Sequence, residues 1–328
     1  MKLMDRMKEV ALRRRLSVLT IQCYQRWVCE FLRFCRVDGR WREPGELAEG
    51  EVSAFLTHLA VQRRVSASTQ NQAVNAIVFL YKQVLTEELP EDHLGKFVAE
   101  RSKRPARVPT VLSENEVRRI IEQMVVESVR TLMVRLMYGT GLRVTELCTL
   151  RLRDLDFDRG QIIVRAGKGD KDRIVMMPAA IRGELAEQAR KIRRLHERDL
   201  IKGGGFVPLP PVIENKMDYA EGDWRWQFVF PSMILRRDVN QRGVRYHADP
   251  GVLDRFIRNA ARAAGVSKRV TCHTFRHSFA THLLEAGYDI RQVQTLLGHA
   301  DVRTTMIYTH VMNKPAVAVA SPLDRLRI

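Results

Sequence analysis

The stretch Arg101-Ser102-Lys103-Arg104-Pro105-Ala106-Arg107-Val108-Pro109 suits neither a helix nor a core. It holds four cations, no acid and two prolines. Proline lacks a backbone donor and disfavours helix in the residue before it, and unpaired charge resists burial. A chain of 328 residues also exceeds what one core usually holds, roughly 250–300 residues. Two domains are therefore expected, at 1–100 and 110–328, with residues 101–109 as a basic linker.

Before the linker, apolar residues recur at spacings of three and four, and β-branched alternation is missing. Ile21, Tyr24, Val28, Phe31 and Leu32 share one face of a helix. Further helices are expected from about Glu51 to Val61 and from about Ser68 to Leu85, the latter burying Val74, Ile77, Val78, Tyr81 and Leu85. After the linker, Ser113-Glu114-Asn115-Glu116 is a capping box, and a helix follows that ends at Gly139-Thr140-Gly141. The period then changes. Gln161–Arg165 and Asp172–Met177, joined through Gly167-Lys168-Gly169-Asp170, read as a β-hairpin. From Pro178 onward helices are expected again, interrupted by Gly203-Gly204-Gly205 and by the proline-aromatic stretch Pro208–Pro231. The class is mainly α with a small β-hairpin or sheet.

Charge narrows the partner. The 55 Lys plus Arg outnumber the 38 Asp plus Glu by 17, and the pI is about 10.1. Such a balance favours a polyanion, most simply nucleic acid, bound with salt-dependent affinity. The linker cations Arg101, Lys103, Arg104 and Arg107 suit nonspecific backbone contacts. No run of 18 apolar residues exists to span a membrane, and Met1–Arg6 leads into charge rather than a signal-peptide core. The five cysteines are odd in number and form no C-x-x-C pair, which reads as reduced thiols of a cytoplasmic protein.

Four segments concentrate unusual polar groups: Gly139–Leu147 with Arg143, the hairpin turn with Lys168, His273–His282 with Arg276, and Leu296-Leu297-Gly298-His299 followed by Tyr308. Each residue alone is ordinary in a basic protein; together they fit a phosphodiester. Phosphoryl transfer needs a nucleophile, neutralisation of the non-bridging oxygens and a proton for the leaving hydroxyl. Arg143 and Arg276 supply planar forks for phosphate oxygens. His273, three residues before Arg276, shares its helix face, and His299 can reach the same phosphate. Lys168 is expected to protonate the leaving oxygen, since neighbouring cations should lower the pKa of a lysine there. Tyr308 is the nucleophile; attack through a phenolate stores the broken bond as a phosphotyrosine, so rejoining needs no ATP. The histidines at 273, 277 and 282 follow no zinc spacing, and neither metal nor nucleotide cofactor is expected.

This set resembles the tyrosine recombinase (lambda-integrase-type) family. The boxes read Gly141-Leu142-Arg143-Val144-Thr145-Glu146-Leu147, Gly167-Lys168-Gly169, His273-Thr274-Phe275-Arg276, Leu296-Leu297-Gly298-His299 and Thr304-Thr305-Met306-Ile307-Tyr308. The resemblance implies a two-domain, C-shaped clamp, with a helical core-binding domain and a mixed α/β catalytic domain. It assigns Arg143, Lys168, His273, Arg276, His299 and Tyr308 to catalysis, with His273 also a candidate for managing the tyrosine proton and with Glu146 and His277 in support. It further implies four protomers on two DNA sites, the tail after Tyr308 docking on a neighbour.

About thirty extra residues, from roughly Arg193 to Asp223, precede Trp224-Arg225-Trp226-Gln227-Phe228-Val229-Phe230-Pro231. Here the chain is similar to the integron integrases, which grip the folded single strand of a gene cassette, the attC hairpin, through extruded bases, and also act on a duplex attI site. The resemblance makes Trp224, Trp226 and Pro231 stacking surfaces. It places Arg245, Tyr246 and His247 of Gly243-Val244-Arg245-Tyr246-His247 on DNA, with Tyr246 where the family has a further histidine. Trp224 is expected exposed, Phe228 and Phe230 in the core. The alternatives are a Xer-like or phage-type recombinase of duplex sites, a type IB topoisomerase, and an inactive architectural or regulatory DNA-binding protein. A bacterial, cytoplasmic location, nucleoid-associated when bound, goes with the first reading.

Overall fold

Ser17 and Ser66 start two helices of the first unit by the same device, each hydroxyl accepting from the backbone amide three residues on at 3.2 Å. In the computed structural model, which describes residues 2–86, 109–165, 172–210, 213 and 220–309, these are α2 (Val18–Phe34) and α4 (Ala67–Phe79). They accompany α1 (Leu3–Arg13) and α3 (Glu49–Thr57). Both α3 and α4 run on as a π-helical turn, His58–Gln62 and Leu80–Val84, so the helical segments reach close to the ends expected from periodicity. The predicted faces are the buried ones: Ile21, Val28, Phe31 and Leu32 pack with Val74's neighbours Ala73 and Ile77 and with Tyr81 and Leu85. The Tyr81 hydroxyl donates to the carbonyls of Pro44 and Leu47 at 2.9 and 3.0 Å, which ties the α2–α3 connection to this core. Trp27 is buried too, although it lies off the predicted stripe.

This unit spans Met1–Arg107, and the second spans Val108–Ile328. Arg101, Lys103, Arg104 and Arg107 lie outside the described residues, as does Lys168. The capping box forms as read. The Glu116 amide donates to the Ser113 hydroxyl at 3.2 Å, and the Ser113 amide to the Glu116 carboxylate at 2.8 Å. It opens α5 (Glu114–Glu122), followed by α6 (Val129–Thr140) and the short α7 (Val144–Thr149). The hairpin is present as β2 (Gln161–Val164) and β3 (Arg173–Met176), antiparallel with Val164 opposite Arg173, and β1 (Leu155–Asp156) adds a third strand on the β2 edge.

Then come α8 (Arg182–Ile201), β4 (Pro231–Arg237), β5 (Gly243–His247), α9 (Pro250–Ala263), α10 (Cys272–Glu285), α11 (Ile290–Leu297) and α12 (Arg303–Met306). The antiparallel β4–β5 pair corrects the expectation of helices alone after Pro178. Its signal is faint because β4 mixes half-buried and exposed residues irregularly, with no fully buried face, so no period of two appears in its sequence. A single core of Leu136, Met137, Leu147, Ile162, Val175, Phe230, Ile257 and Phe275, among others, joins α6, α7, the first sheet, α9 and α10. Among the described residues no helix is long and apolar enough to cross a membrane.

Candidate active site

A helix ends with carbonyls that lack partners in the next turn. At the end of α11 three arginines supply them. The Arg173 Nε donates to the Leu296 carbonyl at 2.8 Å, the Arg276 Nη2 to Leu297 at 2.6 Å and the Arg143 Nη2 to Gly298 at 3.4 Å. Gly298, at φ +66°, terminates the helix, and a Cβ there would sit 2.9 Å from the Arg173 guanidinium. The other end of Arg276 is fixed by the carbonyl of Gly141, 2.6 Å from Nη1. Gly141 caps α6 in the left-handed region, against Phe279. Two glycine-ended helices thus position one buried guanidinium.

Glu146 gathers the same arginines. As the third residue of α7 it accepts from the backbone amide of Arg143 at 2.8 Å and from the Arg143 Nη1 at 2.7 Å. Both its oxygens also accept from Arg173, at 2.9 and 2.7 Å. Arg276 Nη1 lies 3.8 Å away. Burial would raise the Glu146 carboxyl, but the hydrogen bonds from Arg173 and Arg143, with the Arg173 charge, outweigh it and hold the group at about 2. Burial and the Arg143 charge lower Arg276 to about 10, still protonated at neutral pH. Three cations therefore face one carboxylate, an excess of positive charge that suits a phosphodiester.

His299 follows Gly298. Its Nε2 is 3.1 Å from the Arg276 Nη2 and its Nδ1 is 2.9 Å from the Thr305 hydroxyl. A guanidinium only donates, so Nε2 accepts and Nδ1 carries the proton. Burial, then the charges of Arg276, Arg143 and Arg173, push His299 down to about 4. Tyr308 is 2% exposed, stacked on His299 with ring centres 6.3 Å apart and enclosed by Phe279, Leu284, Val293 and Leu297. Its hydroxyl lies 3.0 Å from the Nδ1 of His277. Burial raises its pKa, opposed by the charges of Arg276 and Arg143. His273 is exposed and stacks on His277, ring centres 6.4 Å apart.

Arg143, Arg276, His299 and Tyr308 are thus brought together, and His273 stands at the surface of the same helix as Arg276. Two neighbours escaped sequence reasoning in their roles. Arg173 lies in phase with Val175 on the buried face of β3; an arginine at such a position was the available signal. His277 follows His273 by four residues, hence on the same helix face, yet it is His277 that meets the tyrosine hydroxyl.

The residues expected to read DNA divide. Arg245 is 5% exposed and bound through Nε and Nη2 to both oxygens of Asp199 at 2.6 and 2.7 Å, with Nη1 on the carbonyls of Ser232 and Met233. Its donors are used internally, which overturns its assignment to DNA. Trp226 is 4% exposed, its ring covered by the guanidiniums of Arg153 and Arg151 at 4.1 and 5.3 Å, so it offers no free stacking face; this too is a correction. Phe228 and Phe230 are buried as expected. Trp224 is 39% exposed, as expected, with Arg193 over its ring at 5.2 Å, and Tyr246 is 41% exposed beside Arg236. Pro231 and His247 are half-buried partners across β4–β5; the His247 Nδ1 donates to the Ala248 carbonyl. Replacing Arg245 by alanine should strand the buried Asp199 charge and destabilise the protein by about 3–5 kcal/mol, read as a fall in thermal midpoint; an unchanged midpoint would show the pair to be dispensable.

Known proteins place this geometry. The chain is 43% identical over 327 residues to an "Integrase/recombinase" of Escherichia coli, covering 99% of this chain and 94% of that protein. It is 32% identical over 305 residues to the tyrosine recombinase XerD of Oceanobacillus iheyensis, covering 91% and 89%. In fold it is similar to the lambda integrase in a tetramer bound to a Holliday junction, with a TM-score of 0.64 at 16% identity over 97% of this chain and 79% of that one. Residues 3–91 match the N-terminal SAM-like domain of phage integrases and residues 110–314 match the Phage integrase family, so this chain belongs to the phage integrase family of tyrosine recombinases.

Proposed function

We propose that this site-specific tyrosine recombinase is an integron integrase, which integrates and excises gene cassettes by acting on folded single-stranded attC hairpins and on a duplex attI site. The observation that carries this reading is Trp224, a large aromatic ring left exposed just after the proposed insertion at about 193–223. A hairpin used in one strand form is distinguished by shape and unstacked bases, and an exposed aromatic ring is a platform for such a base. Tyr246, Pro231 and His247 are the further candidates on the neighbouring strands. The buried Asp199–Arg245 pair, which ties the end of α8 to β5, acts here as the anchor of that platform rather than as a base reader.

In the proposed reaction Tyr308 attacks the scissile phosphate, which Arg143, Arg276, His273 and His299 hold, and Lys168 protonates the departing 5′ hydroxyl. The 3′-phosphotyrosine is then resolved by a 5′ hydroxyl of the partner strand. Residues 1–100 and the cations of the 101–109 linker hold DNA backbone, four protomers assemble on two sites, and the protein works in the bacterial cytoplasm on nucleoid DNA. The excess of guanidinium charge around Glu146 supports the phosphate role.

The test compares binding of an attC-type hairpin and its matched duplex at one fixed salt concentration, since affinity depends on salt. The hairpin should bind more tightly, and Trp224→Ala should weaken hairpin binding by about 5- to 150-fold, the loss of one stacked base at roughly 1–3 kcal/mol, while leaving duplex affinity unchanged. Equal affinity for both DNAs, insensitive to Trp224→Ala, would instead support a recombinase of duplex sites of the Xer kind.

A further inference from the structure

We propose that His277, not His273, takes the phenolic proton of Tyr308 as the tyrosine attacks phosphorus. The inference rests on the proposed role of Tyr308 as nucleophile. Of the three imidazoles near the arginines, His277 alone presents a ring nitrogen to the hydroxyl, Nδ1 at 3.0 Å. His299 meets Tyr308 only face to face and has both nitrogens engaged, by Arg276 and Thr305. His273 is one helical turn earlier and exposed, in contact with His277 through ring stacking.

The step balances without a co-reactant. The Tyr308 Oη–phosphorus bond forms as the phosphorus–O5′ bond breaks; the Oη proton passes to Nδ1 of His277, and O5′ receives a proton from Lys168. Religation runs the same transfers backward, returning the proton to Tyr308. The groups facing His277 are His273 and Arg276 on α10, His299 after α11, and Tyr308 itself. Burial, with His273 and Arg276, holds its pKa down at about 4, so before DNA arrives the ring is neutral and its lone pair is free to accept. A phosphodiester seated on Arg143 and Arg276 adds negative charge beside it and raises its basicity as the proton must move.

The experiment measures single-turnover formation of covalent adduct by the full-length protein on a nicked suicide substrate. His277→Asn keeps an acceptor near the Nδ1 position but takes up no proton at neutral pH. It should slow adduct formation by about 10²–10⁴-fold, the usual worth of a positioned base. Repeating the measurement with a ring-fluorinated tyrosine at 308, whose phenol ionises near neutral pH, should bring this variant to within about tenfold of the equally fluorinated parent. His273→Asn should gain no such rescue. If His277→Asn loses DNA affinity or its thermal transition, His277→Gln takes its place. A His277 variant that reacts at the parental rate, or whose defect is the same with both phenols, overturns the assignment. A parent that forms no adduct at Tyr308 overturns the nucleophile as well, and is distinguished by failing before any histidine is changed.

Discussion

Replacing Tyr308 by phenylalanine is expected to abolish the covalent protein–DNA complex, lowering strand cleavage by at least about 10⁴-fold, as removal of a nucleophile does in other enzymes that pass through a covalent intermediate. The substitution removes one oxygen and leaves the ring among Phe279, Leu284, Val293 and Leu297, so the fold has no new cavity to absorb. The lost hydrogen bonds, to His277 and from Arg276, should cost roughly 0.5–1.5 kcal/mol each. DNA affinity should therefore persist while the adduct disappears, a split read by mobility shift beside a denaturing gel. A Tyr308→Phe protein that still traps DNA covalently would place the nucleophile elsewhere, and one that loses DNA binding would show the phenol to be a recognition group.

The second large effect concerns Glu146. Changing it to glutamine removes the carboxylate that Arg143, Arg173 and Arg276 share. It leaves two guanidiniums that are nearly buried, Arg173 and Arg276, without a counter-charge. Removing one partner of a buried ion pair typically costs about 3–5 kcal/mol. Cleavage should fall with it, because the same carboxylate aims the Arg143 fork.

A pH titration separates this from loss of packing. The folded carboxyl lies at about 2, below its ordinary value of roughly 4.3. A depressed folded value means that the unfolded chain takes up the proton first. The stabilisation is accordingly complete above about pH 5 and is lost as pH falls toward 2, amounting to about 3 kcal/mol over that window. The glutamine variant should be less stable at neutral pH and flatter between pH 5 and 2. Parallel stability curves for the two proteins would show that the charge of Glu146 contributes nothing.

Much of the architecture was legible because its signals are local. Ser113 and Glu116 are three residues apart and form the predicted box. The face formed by Ile21, Val28, Phe31 and Leu32 follows from 3.6 residues per turn, and Gln161–Val164 and Arg173–Met176 alternate as strands. The arginine, histidine and tyrosine boxes could be set in order for the same reason, each being a short run. The β4–β5 sheet stayed hidden because Met233, Ile234 and Val239 are exposed in the folded protein, so the apolar residues there do not mark an inner face.

What sequence alone determined is therefore the helical class and the short boxes of polar groups from which a candidate phosphate site could be proposed, in a chain of two units, Met1–Arg107 and Val108–Ile328. Which of those groups meet was decided by tertiary structure. Arg173 reaches Leu296 across 123 positions and Arg276 reaches Gly141 across 135, whereas Arg245 turns inward because Asp199, 46 positions away, is buried opposite it. His277 rather than His273 meets Tyr308 because the segment carrying Tyr308 packs beside the later turn of α10, while His273 stays exposed. Hydrophobic period specifies which face of an element is buried. The partner of a guanidinium or an imidazole depends on which distant carbonyl or carboxylate the packed elements present to it, and that is a property of the assembled core.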